Sequence, residues 1–258
     1  MNSSQLKKEL QKLLKELALP MVREVFEDVV LQAEKDNTTY EELLLELFRA
    51  EATSRKQKRT ARFLRESKLP LEKSLQTFDL DRLSLPVKRV VNSLLEGTFL
   101  SRRENVLVFG KPGSGKTHLL CAIAQELVQA GHRVYFTTTS SLVEGLLRAK
   151  KELKLDKALK KLSKFEAIII DDIGYVKYSR DEMEVLFTLL AQRYERGSLL
   201  LTSNLPFSKW EEIFKNPMTT AAAIDRLVHH SVILELNLES YRMEVAQKRK
   251  KDVKNEKK

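Results

Sequence analysis

The run GKPGSGKT, Gly110 to Thr117, constrains this chain more than any other feature; the apolar run Val106 to Phe109 precedes it and HLLCAIAQELV follows. Gly110, Gly115, Lys116 and Thr117 have the spacing of a phosphate-binding loop, which joins a strand to the helix after it. Each residue type has a physical task. Glycines let the backbone turn tightly enough for successive N–H groups to face phosphate oxygens, and the N-terminus of the next helix adds partial positive charge. Lys116 then reaches the β- and γ-phosphates, while the Thr117 hydroxyl ligates the magnesium ion that accompanies them. Lys111, Pro112, Gly113 and Ser114 within the loop, and His118 just inside the helix, complete the candidate phosphate-binding set. Three of the chain's eight glycines fall inside six residues here, too dense a cluster for a chance turn.

With 258 residues the chain can bury one sizeable core plus an appendage. No apolar run approaches the roughly 20 residues needed to cross a bilayer, and the opening MNSSQLKKELQKLLKEL is charged throughout, unlike a secretory segment. The single Cys121 cannot form an internal disulfide. Its place in the helix after the loop suits a packed, reduced thiol, and so a cytoplasmic protein without membrane contact. The four histidines lack metal-ligand spacing.

The net charge of +10 is unevenly placed. Arg55 to Lys68 carries seven bases and one acid, Arg148 to Lys164 eight and two, and Lys248 to Lys258 seven and two, so the rest of the chain is acidic. Concentration of this kind is the footprint of a polyanion partner, and beside a nucleotide loop it points to nucleic acid.

Along the chain, leucines 6, 10, 13, 14 and 17 form a helical stripe, Pro20 opens a second helix, and Thr39 with Glu42 makes a capping box for a third that reaches about Ser67. This predicts a small all-α domain over 1–68, with the third helix turning basic at Arg55 and projecting as an arm that docks DNA or protein. Residues 69–86 read as a linker. From Val87 strands and helices alternate, predicting an α/β domain with a parallel sheet over 87–247 and strands at 106–109, 133–138, 167–171, 198–203 and 231–236. The tail 248–258 is nearly devoid of apolar residues and is expected to be disordered.

The second chemical signal is IIIDD, ending in Asp171 and Asp172. Acids at the carboxyl end of a central parallel strand stand beside the phosphate loop. Asp171 is placed to hold magnesium through its water shell, and Asp172 to orient the attacking water. Many ATPases of this kind carry a glutamate at the second position, one methylene longer. Asn204, closing LLLTSN, suits a sensor of the γ-phosphate through that water, although a strand-terminal Asn alone is commonly a turn residue. Arg226 in AIDRLVHH and Arg242 in ESYR are each either a stabiliser of transferring phosphate or an ordinary ion-pairing residue; local pattern does not choose.

The ordered set GKPGSGKTHL, IIIDDIGY, LLTSNLPFSKW, AIDRLVHHSVILEL and ESYR, with ENVLVFG before it, resembles the IstB family over roughly residues 6–246. These are ATP-binding helper proteins of bacterial insertion sequences, near the DnaC helicase loaders within the AAA+ ATPases. The resemblance implies a P-loop NTPase (AAA+) core, ATP and Mg2+ as cofactors, and hydrolysis of ATP. It implies Asn204 as the first sensor, Arg226 as an arginine finger acting on a neighbouring subunit, and Arg242 as a second sensor touching bound nucleotide. It further implies homo-oligomers with ATP sites between subunits, binding of double-stranded target DNA and delivery of that DNA to a partner transposase. The helices after the second strand line the DNA path in this clade, which assigns phosphate contacts to Arg148, Lys150, Lys151, Lys154 and Lys157.

The alternative within the clade is a DnaC-like replicative helicase loader, which shares the core but grips a helicase. A small-molecule kinase uses the same loop yet needs an acceptor pocket and a lid, and a GTPase reading fails because no NKxD-type guanine-reading sequence is present.

Overall fold

The computed structural model describes residues 2–174, 179–211 and 217–241. The chain divides into two compact units at Arg62/Phe63, within its longest helix.

In the first unit, helices α1 (Ser3–Glu16), α2 (Pro20–Asp36) and α3 (Tyr40–Ser67) follow one another. Leu14, Val22, Phe26 and Leu47 form its small core. Of the α1 leucine stripe only Leu14 is turned inward; Leu6, Leu10, Leu13 and Leu17 remain exposed. The start of α2 lacks a side-chain cap at Leu19. Buried Glu51 of α3 serves instead, accepting from the Met21 and Val22 amides at 2.8 and 3.3 Å and from Arg55 Nε at 2.7 Å. A carboxylate there satisfies amides that no helical turn can reach and complements the positive helix end.

The second unit is a five-stranded, wholly parallel sheet of order β2-β3-β4-β1-β5. Its strands are β1 (Asn105–Gly110), β2 (Val134–Thr138), β3 (Ala167–Ile173), β4 (Ser198–Ser203) and β5 (Ser231–Leu236). Helices α4 (Leu85–Leu95) and α5 (Thr98–Ser101) precede β1, and α6 (Lys116–Gln129) leads from β1 to β2. Helices α7 (Thr139–Lys151) and α8 (Leu155–Leu162) lead to β3, α9 (Arg180–Arg193) to β4, and α10 (Pro217–Val228) to β5. Parallel strands need such crossovers, and covering both faces makes the strands continuously apolar. Val106, Val108, Ile169 and Leu200 point to one core with α6, while Leu107, Ile168, Ile170, Leu199 and Leu201 point to the other with α7 and α9.

Residues 69–86 are not a free tether. Leu69 and Leu83 are buried in the α6-side core, and two short 3-10 turns, Leu75–Thr77 and Leu80–Arg82, lay the segment over the start of α6. The basic end of α3 is likewise tied down past the unit boundary: Phe63 is buried in that core and Glu66 pairs with Arg133 at 2.8 Å. The tail 248–258 lies outside the described residues. Among the described residues no helix is long and apolar enough to cross a membrane.

Candidate nucleotide site

The carboxyl ends of β1, β3 and β4 stand side by side, and each carries a piece of one site. β1 runs into the loop that ends at Gly115, the N-cap of α6, with φ +92°. Gly113 has φ +82°, and an added Cβ there would meet Ser240 Oγ at 2.2 Å. Gly113 and Gly115 thus let the loop turn tightly, the kind of backbone whose amides can face an anion. Within the loop, Lys116 Nζ donates to the Gly110 and Lys111 carbonyls at 2.9 and 3.0 Å. Ser114 Oγ is buried and has no hydrogen-bond partner among the described residues.

β3 and β4 lose their regular register at the two acids: Ile170 pairs with Leu201 and Ile173 with Ser203, so Asp171 and Asp172 together oppose Thr202. Two residues against one is a β-bulge, and here it re-aims side chains at the site. Asp172 adopts φ +58°, a left-handed conformation that aspartate tolerates better than most residues. Thr202 replaces the missing ladder bonds. Its hydroxyl accepts from the Asp172 amide at 2.8 Å and donates to Asp171 Oδ1 at 2.6 Å. Thr117 donates to the same Oδ1 at 2.7 Å, and Thr139 donates to the Asp171 carbonyl at 2.8 Å. Asp171 is therefore held from three elements.

A cavity of about 330 Å³ opens over the loop. Pro112 to His118, Asp172 and Asn204 line it, so most of the candidate residues share one site. Gly110 and Lys111 contribute carbonyls to Lys116 behind it. His118 also fastens the preceding segment, with Nε2 3.0 Å from the Ser74 carbonyl and its ring edge-on to Phe78 at 5.2 Å. One wall of the cavity has no counterpart among the sequence candidates. Thr77, Phe78 and Arg82 line it from the segment treated as a linker, and Leu238 and Tyr241 from beyond β5. Arg82 donates to the Glu239 carbonyl at 3.0 Å and lies over the Tyr241 ring at 5.4 Å, and the Tyr241 amide donates to the Gly113 carbonyl at 3.1 Å. The signal was present in TFDLDRL, whose Phe and Arg stand out in a stretch without periodicity.

Arg226 does not line this cavity. On α10, its guanidinium sits 4.8 Å over the Phe187 ring of α9 and donates to the Ala222 carbonyl at 3.2 Å. Arg242 lies outside the described residues. Of the five candidate DNA-contacting cations, three have acidic partners within the chain: Arg148 with Glu144 at 3.0 Å, Lys150 with Glu184 at 2.9 Å and Lys154 with Glu152 at 2.9 Å. Lys151 and Lys157 are exposed. Surface pairs of this kind contribute only about 0–1 kcal/mol each, so phosphates can displace the acids.

The donor set fits a nucleotide triphosphate with a hard divalent cation. Thr117 and Asp171 offer adjacent oxygens of the type magnesium takes, beside Lys116 and the glycine-rich loop that line the cavity. In fold, the chain is similar to the AMPPCP-bound DnaA of Aquifex aeolicus, with a TM-score of 0.56 at 18% identity over 72% of this chain and 57% of that one. It is equally similar to the DnaC helicase loader, with a TM-score of 0.56 at 18% identity over 64% of this chain and 97% of the loader. In sequence, an insertion-sequence ATP-binding protein of Sinorhizobium fredii is 39% identical over 93% of this chain and 80% of its own length. The ATP-binding protein of insertion sequence IS21 from Pseudomonas aeruginosa is 38% identical over 93% and 91%. Residues 12–250 match the family described as IstB-like ATP binding protein, and with that match over nearly the whole length the chain belongs to the IstB-like family.

Proposed function

We propose that this protein is a cytoplasmic, ATP-hydrolysing helper of insertion-sequence transposition that assembles on double-stranded DNA and presents it to a partner transposase. The observation that carries the reading is a division of the site. Lys116, Thr117, Asp172 and Asn204 line one cavity and Asp171 is bonded to Thr117, whereas Arg226 lines no part of it; in this reading Arg226 acts on the site of a neighbouring subunit. In such an assembly Lys116 exchanges the Gly110 and Lys111 carbonyls for β- and γ-phosphate oxygens. Thr117 and Asp171 would hold Mg2+, which neutralises charge on those oxygens. Asp172 and Asn204 orient the water that attacks the γ-phosphorus as the bond to ADP breaks, and Arg226 of a neighbouring copy stabilises the charge that develops. Arg242 contacts the nucleotide from the C-terminal segment. The basic residues Arg148, Lys150 and Lys151 of α7, Lys154 between the helices and Lys157 of α8 grip phosphates, so binding is salt-sensitive and weakly sequence-selective. ATP closes subunit interfaces around DNA, and hydrolysis resets the assembly. A helicase-loader role has only the shared fold behind it.

Sedimentation with and without ATP and a generic duplex, repeated at raised salt, tests this. Large complexes should require both ligands, dissolve in salt and vanish with Lys116→Ala. Mixing Arg226→Ala with Asp172→Asn subunits should restore part of the ATPase activity. A protein that stays monomeric under all these conditions would sink the reading.

A further inference from the structure

A second cleft, of about 560 Å³, opens beside β2, one of the two edge strands of the sheet. Its floor is apolar: Leu142 and Leu146 of α7, Leu162 of α8, and Phe165. Its rim is cationic. Arg65 comes from the end of α3 and Lys68 from just after it, Arg133 from just before β2, and Lys161 and Lys164 from α8 and the turn after it, and Glu66 is the one acid among the described residues that line the cleft. Glu66 is already engaged by Arg133 at 2.8 Å, while Arg65, Lys161 and Lys164 have no carboxylate partner among the described residues. Two basic segments about eighty residues apart in sequence thus converge on one hydrophobic hollow, which neither segment's own pattern discloses.

Gly145 gives an independent indication. It lies in the interior of α7, where glycine is markedly less favourable than alanine. Yet its φ is not positive, and a Cβ built there meets no atom of the described residues within 4 Å. Nothing among the described residues needs this glycine, and it lines the cleft.

We propose that this cleft docks an acidic segment of another polypeptide, with apolar side chains seated on the floor and carboxylates on the rim. Charge complementarity selects the sign of the ligand, and the apolar floor selects its kind. Nucleic acid fits less well, because the aromatic faces on which a base would stack are covered: Lys68 Nζ lies 5.6 Å over the Tyr135 ring, and Arg133 Cζ 5.1 Å over Phe165. Duplex phosphates would engage the rim and leave the floor uncovered. The chain's own terminal run, KRKKDVKNEKK, carries the wrong charge. This docking site stands apart from the nucleotide reading and survives or fails without it.

Gly145→Leu fills the cleft with a good helix former at a position without internal contacts, so the fold and nucleotide affinity should be unchanged. A random-peptide display library panned in parallel on the wild-type chain and on Gly145→Leu, and read by sequencing, tests the proposal. Acid-rich peptides with interspersed Leu, Ile or Phe should be enriched only on wild type. The best of these, fluorescently labelled, should bind about tenfold or more weakly to Gly145→Leu and to Lys161→Glu/Lys164→Glu, as expected for a lost anchor and reversed charge. Single-stranded oligothymidylate should not displace it. Equal enrichment on both proteins, enrichment of acidic peptides lacking apolar residues, or displacement by the oligonucleotide that Gly145→Leu also blocks would each overturn the assignment.

Discussion

The Thr202 hydroxyl donates to Asp171 Oδ1 at 2.6 Å while accepting from the Asp172 amide at 2.8 Å, so one side chain fixes both acids of the site. Thr202 itself does not line the cavity; it touches the lining only through Asp172. It acts as a positioning residue, through the bulge that it completes. Thr202→Val keeps the shape and removes both bonds. Supporting partners of metal-binding groups typically matter about 10- to 100-fold in metal affinity or activity. Phosphate release should fall within that range and require more Mg2+, with nucleotide affinity in chelator nearly unchanged, and Thr202→Ser should recover most of the loss. An unaltered Mg2+ dependence in the valine variant would show that Asp171 holds its place without Thr202.

What was legible in the sequence follows from how local each signal is. The loop, the five strands and the acids at the end of β3 are written in contiguous residues, because a parallel strand buried on both faces is an apolar run and a phosphate loop is a run of glycines. Thr202 was not legible as a partner of Asp171, since a bulge is set by pairing between strands about thirty residues apart. The segment 69–86 has no period because it forms two short 3-10 turns, and its wall of the cavity exists only once Phe78 meets the loop near Gly115 and Arg82 meets Tyr241. The leucines of α1 show the converse. Their spacing gives a helix correctly but does not say that four of the five face outward. The basic segment 148–164 likewise conceals acids such as Glu184 that come to it only through folding.

Gly113 is wedged against the strap that follows β5. A methyl there would fall 2.2 Å from Ser240 Oγ and 3.3 Å from its Cα, at a φ of +82° where a non-glycine residue costs about 1–2 kcal/mol. Gly113→Ala should therefore displace either the loop or the strap and weaken binding of a fluorescent ATP analogue about tenfold or more. Gly113→Ala/Ser240→Gly removes the collision but not the backbone cost, so it should recover part of the affinity. Full retention of affinity in the single variant would mean that the strap is free to move away.

Arg193 secures the opposite, amino-terminal end of the sheet. Its guanidinium donates to the Phe165, Glu166 and Ser198 carbonyls at 2.7, 2.8 and 3.1 Å, and Gly197 leaves it room, since a Cβ there would lie 2.3 Å from Nη2. Burial, with Arg103 nearby, pushes its pKa down to about 10, which still leaves a cation at neutral pH. Arg193→Met strips the partners from carbonyls at the start of β3 and β4, and should cost about 2–4 kcal/mol in urea unfolding. Gly197→Ala should act on the same contact, making the double variant less than additive. Nucleotide affinity below the unfolding transition should hold, because the site lies at the other strand ends.

Cys121 supplies a pH signature. The thiol is fully buried on the inner face of α6, and burial pushes its pKa up from 9.0 to about 12, with Lys73 opposing and Asp171 adding to the shift. The native state thus holds this proton more tightly than the unfolded chain. The resulting stabilisation is complete below pH 9.0 and is lost as pH climbs from 9.0 toward about 12, at up to about 1.4 kcal/mol per pH unit. Lysines also titrate in that window, so the informative quantity is a difference between proteins. Cys121→Ala should be less stable than wild type at pH 7 by about 1–2 kcal/mol, through lost packing. That gap should narrow from pH 9 to pH 11 in parallel urea titrations, and a disulfide reagent should label native Cys121 only as fast as the protein opens. A gap that stays constant across the window would show that the thiolate forms as readily inside the fold as outside it.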